Sequence, residues 1–243
     1  MRKTGLLALL LVISACTSPP SAQPAGPIAG PECADLHATQ KRVTFGPQLT
    51  GVVFGTGKTG IVLAHQNGGS VCEWIPKATE LATRGYRVLA FDFAGFGGSA
   101  AGNDSMPANI KAAVQQLRAE GTSKVVLIGA SMGGTAAAVA AAEISPPVDG
   151  LITVSSPVIF NSVNAEFGLQ SLTIPMLFVA ASNDASFARA ANELKAAAKK
   201  SSSAEVYLAE GSSAHGAWLI FPIDGHKGAI AAVDAFFTQH API

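Results

Sequence analysis

The chain is predicted to be an α/β protein, with a mainly parallel sheet covered by helices on both faces. Two observations predict it. Short runs of Val, Ile, Leu and Phe recur along the chain without the polar alternation of a half-exposed strand, the pattern of strands buried on both faces. Between them lie Ala-rich stretches of helical length, so strands and helices alternate as parallel crossovers require. Size and composition agree. Roughly 210 residues follow residue 31, which suits one such domain and is short for two. With 49% hydrophobic and 13% charged residues, the chain has the composition of a packed domain, not a disordered one.

In chain order, 43–45 and 49–54 flank Gly46-Pro47 and read as an opening antiparallel pair. Residues 61–64 form a buried strand that ends at His65-Gln66-Asn67-Gly68-Gly69. A helix is expected over about 73–84, stopped by Gly85 at its C-terminus. Strand 86–91 leads into a Gly-rich turn and then a helix over about 106–120, ended by Gly121. Strand 124–129 switches almost at once to a helix from Met132 to about Ile144, before Pro146-Pro147. Strands are expected at 148–155, placed centrally, and at 175–181. A helix from Asp184 to about Lys200, a last strand at 205–209 and a last helix containing 230–237 complete the domain. No internal repeat is present.

Gly129-Ala130-Ser131-Met132-Gly133 has the form G-x-S-x-G. The pattern alone is weak in a Gly-rich chain, but here it sits between an apolar strand and an Ala-rich helix, the setting a nucleophile elbow requires. Gly129 and Gly133 stand where a Cβ would crowd the sharp turn, and the turn aims the helix N-terminus at whatever binds above Ser131. The alternative is a plain Gly-rich connection. A Ser hydroxyl needs a base, and three His follow it. His240 is three residues from the C-terminus and is expected to fray. His226 opens the last helix, where a capping role suffices. His215 lies in the small-residue loop Gly211-Ser212-Ser213-Ala214-His215-Gly216 after the last strand, and it is the candidate base. Asp184, the first carboxylate after strand 175–181, is the candidate acid, with helix N-cap as its bland role. The preceding strand ends Ser155-Ser156-Pro157 and offers no acid. The order Ser131, Asp184, His215 is that of one class of hydrolase. An oxyanion would need two donors: the N–H of Met132, next after the nucleophile, and one from the loop at 65–69.

These motifs together resemble the α/β-hydrolase superfamily over about residues 43–237. Asp92-Phe93-Ala94-Gly95-Phe96-Gly97-Gly98-Ser99 is similar to its D-x-R-G-x-G-x-S turn, with Ala94 where Arg is usual. His65-Gln66 stands where many members have His-Gly. The resemblance implies the α/β-hydrolase fold and hydrolysis of small carboxylic esters without a cofactor. By position, it assigns the second oxyanion N–H to Asn67, with Gln66 the lesser candidate. It gives His65 and Asp92 structural, loop-fixing roles. Caps in this superfamily are commonly inserted where this chain has only 156–174, enough for a short helix around 164–170. No large cap domain is therefore expected. Val158, Ile159, Phe160, Phe167 and Trp218 are candidates to line an open pocket, or to pack in the core.

The N-terminus is read separately. Arg2 and Lys3 precede an apolar stretch, 6–13, of the length of a secretory signal, too short for the roughly 20 residues of a membrane span. Ile13-Ser14-Ala15-Cys16 resembles the lipobox of bacterial lipoproteins, in which the signal is cut before a Cys that then carries lipid. The expected organisation is a signal peptide at 1–15, a lipidated Cys16 and Pro/Ser/Ala/Gly-rich tether at 16–31, and the hydrolase domain at 32–243. The alternative is an ordinary signal cut near Ala15. Export to an envelope membrane would leave Cys33 and Cys72 in an oxidising compartment as a disulfide, or else as two buried thiols. No Cys/His cluster has metal-ligand spacing. Basic and acidic residues balance at 16 each with no basic stripe, which excludes a nucleic-acid partner. Three further functions share these residues: acyl transfer, peptidase activity, and binding without catalysis.

Overall fold

The computed structural model describes Cys33 and residues 40–243; the expected signal, lipidated Cys16 and tether lie outside the described residues. The opening pair is β1 (Lys41–Phe45) and β2 (Leu49–Phe54), antiparallel in register Phe45 to Leu49. Strands β3 (Thr59–Ala64), β4 (Arg87–Phe91), β5 (Lys124–Ala130), β6 (Gly150–Val154), β9 (Met176–Ala181) and β10 (Ala204–Ala209) then pair in parallel. The eight-stranded order is β1-β2-β4-β3-β5-β6-β9-β10. β5 lies inside the parallel run, so the C-terminal ends of β3, β5, β6, β9 and β10 open onto one edge.

Burial explains the sequence pattern. Every residue of β3, β6 and β9 is buried, whereas the outermost strand β1 alternates. One face of the sheet is covered by α2 (Met106–Ala119), α3 (Met132–Glu143), α4 (Ala165–Leu169) and α5 (Ala185–Ala197), through Ile110, Val114, Ala136, Leu169 and Leu194. The other is covered by α1 (Ile75–Thr83) and α6 (Lys227–His240), through Ala78, Leu81, Val233 and Phe237. Serine caps begin two segments: Ser105 accepts the Ala108 N–H at the start of α2, and Ser70 accepts the Cys72 N–H ahead of α1. Gly85 and Gly121 follow α1 and α2 at φ 98° and 90°, values that an L side chain rarely adopts.

Three elements differ from expectation. The helix expected from residue 73 begins as a 3-10 turn, Val71–Trp74, and becomes α-helical at Ile75, with Pro76 in its first turn. The connection 156–174 holds α4, as expected, and also a two-residue hairpin, β7 (Ile159–Phe160) with β8 (Val163–Asn164). His240 does not fray: it closes α6 with its ring 5.0 Å from that of Phe236. Cys33 and Cys72 are paired in a disulfide with Cα atoms 5.0 Å apart. Among the described residues no helix is long and apolar enough to cross a membrane.

Candidate active site

Ser131 joins β5 to α3 at φ 47° and ψ −116°, a backbone that costs a non-glycine residue roughly 1–3 kcal/mol. The turn is held on both sides. The Ser131 N–H donates to the Val154 carbonyl (2.8 Å), and the Ser131 carbonyl accepts the N–H groups of Gly134 (3.0 Å) and Thr135 (3.2 Å). Its neighbours leave no room for side chains. A Cβ on Gly129 would strike the Gly133 backbone, and one on Gly133 would strike the Ala64 and His65 carbonyls. α3 therefore starts against the end of β3. The Ser131 residue is 9% exposed, and Met132 is the first residue of α3, where helix N–H groups have no intrahelical partner.

The ends of β9 and β10 bring Asp184 and His215 together. Backbone bonds stitch the two loops: Ser182 N–H to Ala209 O (3.0 Å) and Asn183 N–H to Ser212 O (2.9 Å). Gly211 N–H adds a bond to Ser182 Oγ (3.0 Å). Asp184 occupies the N-cap position of α5 but its carboxylate makes no capping bond. Instead Asp184 Oδ2 lies 2.7 Å from His215 Nδ1, and the Phe187 ring packs edge-on against the imidazole at 4.4 Å. The carboxylate thus fixes one ring nitrogen and leaves Nε2 for other partners. Gly216, at φ 63°, carries the loop back over the elbow. A Cβ there would overlap the Gln66 side chain and reach within 3.6 Å of Ala130 Cβ. Ser131 and His215 share this edge of the sheet, though no hydrogen bond joins them among the described residues. Catalytic contacts of this kind commonly tighten only with substrate.

The loop after β3 is pinned through its first peptide. The Gln66 N–H donates to Glu73 Oε1 (3.0 Å), and the Gln66 carbonyl accepts the Gly69 N–H (3.0 Å). His65 Nε2 accepts the Phe93 N–H (3.0 Å), so the proton resides on Nδ1, which donates to the Gln66 carbonyl (2.8 Å). Burial is the largest influence on this imidazole and pushes its pKa below 6.5, against the opposing Gln66 bond and Asp92 charge. Asp92 is fully buried and accepts N–H bonds from Val71 (2.6 Å) and Gly98 (2.9 Å). Ser99 completes the turn, donating to the Asp92 carbonyl (2.6 Å) and accepting the Thr50 N–H (2.8 Å). His65 and Asp92 therefore hold loops, as their positions imply. His226 Nδ1 accepts the Ala229 N–H at the start of α6 (3.3 Å).

Three residues at this edge escaped the sequence reading. Glu73 is seven residues from Gln66, with nothing local to mark the pairing. Thr135 is buried and donates to the Pro157 carbonyl (2.7 Å). Ser155, also buried, stands at φ 49° at the end of β6. Of the pocket candidates, Val158 and Phe160 pack partly into the core, whereas Ile159, Phe167 and Trp218 are exposed at 56%, 74% and 54%.

Comparison with known proteins agrees with this architecture. Residues 60–210 match the model of a family described as alpha/beta hydrolase fold, a match that ends before His215. An esterase of Pyrococcus furiosus is similar in structure, with a TM-score of 0.74 at 18% identity over 88% of this chain and 95% of that one. A monoacylglycerol lipase of Paleococcus ferrophilus superposes with a TM-score of 0.66 at 17% identity, over 79% and 99% of the two chains. A dienelactone hydrolase of Anabaena variabilis gives 0.64 at 21% identity, over 83% and 98%. No curated protein matches by sequence.

Proposed function

The chain belongs to the α/β-hydrolase fold family, and on that premise we propose that it is a serine hydrolase cleaving small or short-acyl carboxylic esters. The observation that carries the reading is the backbone of Ser131, held at φ 47° between β5 and α3. Such strain persists where the surrounding structure over-determines it, as at catalytic sites. Ser131 Oγ attacks the ester carbonyl while His215 Nε2 takes its proton, and Asp184 stabilises the imidazolium through Nδ1. The negative charge formed on the carbonyl oxygen is met by the N–H of Met132 and that of Asn67, since the Gln66 N–H is engaged by Glu73. Each such donor lowers the barrier by roughly 3 kcal/mol. The C–O bond to the alcohol then breaks, His215 returns its proton to that oxygen, and an acyl-enzyme remains on Ser131. Water attacks the acyl carbon, gives a proton to His215, and releases the carboxylic acid with Ser131 restored. A Ser nucleophile sets this chemistry apart from hydrolases of the same fold that attack through Asp or Cys. The test is covalent labelling by a fluorophosphonate. Ser131→Ala is expected to abolish it and to lower ester turnover by about three orders of magnitude or more. Labelling that survives the substitution moves the nucleophile elsewhere.

Export with a lipid anchor at Cys16 belongs to the same proposal. It is supported by the apolar segment ahead of Ser14-Ala15-Cys16 and by the Cys33–Cys72 pairing, which suits an oxidising compartment. Each buried methylene contributes about 0.8 kcal/mol, so two or more acyl chains give stable anchoring. Cys16→Ser is expected to abolish incorporation of a fatty-acid analogue and to release the protein from membranes. Absence of label on the wild-type protein refutes the anchor.

A further inference from the structure

Gln66 has a side chain whose place in the site its backbone does not explain. The backbone is engaged on both sides. Its N–H donates to Glu73 Oε1 (3.0 Å), and its carbonyl accepts from His65 Nδ1 (2.8 Å) and from the Gly69 N–H (3.0 Å). The side chain crosses from this loop to the loop of His215. Gly216, at φ 63°, leaves the space for it, since a Cβ there would overlap Gln66 Oε1 and come within 3.6 Å of Ala130 Cβ. Gln66 Oε1 thus sits against the residue that follows His215 and close to the residue that precedes Ser131. It is buried, and no donor reaches it among the described residues. A buried carbonyl-type oxygen without a donor is costly, and folded proteins keep few of them.

A donor arrives there in the second half of the reaction. On the serine-hydrolase reading above, the acyl-enzyme is broken by a nucleophile standing between Ser131 and His215. Water brings two protons. One passes to His215 Nε2 as the oxygen attacks the acyl carbon, and the other stays on that oxygen into the product acid. The bond from the acyl carbon to Ser131 Oγ then breaks, and His215 returns its proton to Oγ. We propose that Gln66 Oε1 accepts a hydrogen bond from the retained O–H, and so positions the attacking water and favours hydrolysis over acyl transfer. A simple alcohol has a single O–H. That proton goes to His215, a carbon faces Gln66 Oε1, and the buried oxygen stays unmatched while an ester is formed. A site built to hydrogen-bond one group rejects the analogue that lacks it for this reason. Acylation offers no such bond, because the leaving oxygen carries no hydrogen until His215 supplies it.

The test lets the acetyl-enzyme formed from p-nitrophenyl acetate choose between water and methanol, in the wild type, Gln66→Leu and Gln66→Glu. The ratio of methyl acetate to acetate at a fixed methanol concentration belongs to one step, so a variant that is merely less stable or less active does not move it. Gln66→Leu removes the acceptor and is expected to raise the ratio about tenfold, about 1.4 kcal/mol. It should also slow deacylation more than acylation, so that acetyl-enzyme reaches a higher occupancy in acid-quenched mass spectra. Gln66→Glu keeps an oxygen acceptor and should hold the ratio nearer the wild-type value than Gln66→Leu does. A ratio raised equally in both variants overturns the proposal. So does a slower acylation with deacylation untouched, which would put the amide on the leaving alcohol. If acetyl-enzyme forms but Gln66→Leu leaves the ratio unchanged, the assignment of Gln66 fails alone. If the wild type forms no acetyl-enzyme and does not react with a fluorophosphonate, the serine-hydrolase reading fails and this assignment falls with it.

Discussion

A serine forced to φ 47° is held there by neighbours that cannot be enlarged, so the chemistry at this edge depends on individual side chains more than on the fold's stability. Three histidines follow Ser131, and their surroundings separate them. His226 spends Nδ1 on the Ala229 N–H, and His240 packs on Phe236. His215 has its Nδ1 against Asp184, which leaves Nε2 for another partner. His215→Ala is therefore expected to cost about as much turnover as Ser131→Ala, because base and nucleophile act as a unit. His226→Ala should leave turnover near wild type and lower stability by about 1 kcal/mol or less, the worth of a cap. Steady-state kinetics with p-nitrophenyl acetate decide the matter, and the reverse ranking of the two variants would remove His215 from the proposed triad. His215 and Asp184 were legible as candidates because each follows a strand whose apolar run is unmistakable. Glu73 was not legible: its bond to the Gln66 N–H depends on how a seven-residue excursion closes on itself, and no periodicity records that.

Among the elements, the loop after β3 and the turn that follows it are fixed by more than one device. The buried His65 ring must stay neutral to accept from Phe93 and donate to Gln66. Its folded pKa lies below the ordinary 6.5, so the unfolded chain binds the extra proton first, and stability rises with pH through this range. The contribution is complete above pH 6.5 and is lost as pH falls from there towards the lowered value. Urea midpoints should therefore decline between pH 7.5 and 5.5. This precedes the second decline below about 4.5 from Glu80 and Glu120, whose pKa values lie below 4.5. Burial raises them, but hydrogen bonds to Arg84 and Lys77, and to Lys41 and Gln116, outweigh it. A flat stability profile down to pH 5 would contradict the tautomer assigned to His65. The same region carries the Cys33–Cys72 bridge, with a sequence separation of 39. The chain-entropy model gives such a loop about 4 kcal/mol. Replacing both cysteines by serine is expected to lower the unfolding free energy by about that amount, measured by urea denaturation, while esterase activity persists. The strands that lead to Ser131, Asp184 and His215 carry none of this bridge. The elements themselves were largely readable, since β3, β5, β6 and β9 are mostly apolar, Ser105 caps α2, and Gly85 and Gly121 follow α1 and α2. The β7–β8 hairpin was not, because two-residue strands are too short to show an alternation, and the 3-10 turn at Val71–Trp74 was merged with α1 for the same reason.

At the scale of the molecule, what matters is how little stands above the C-terminal edge of the sheet. The β6–β9 connection is where a cap would be inserted, and here it amounts to the β7–β8 hairpin and the five residues of α4. α4 is held down on α3, with a Cβ on Gly168 set to strike the Ala138 backbone. Ile159 and Phe167 project outward, exposed at 56% and 74%, while Val158 and Phe160 pack partly into the core. Among the described residues this connection puts no large cover over the edge, so little apolar surface is there to be uncovered at a lipid interface. Rates with p-nitrophenyl esters are therefore expected to fall steadily beyond about eight carbons in the acyl chain, because further methylenes gain little from an uncovered site. Crossing the solubility limit of the longer esters should produce no increase. The measurement is initial rate against chain length, taken below and above that limit. A jump in rate when the substrate forms an interface would mean that a part of this edge moves, the hairpin and α4 being the first candidates. The small-ester reading would then yield to a lipase.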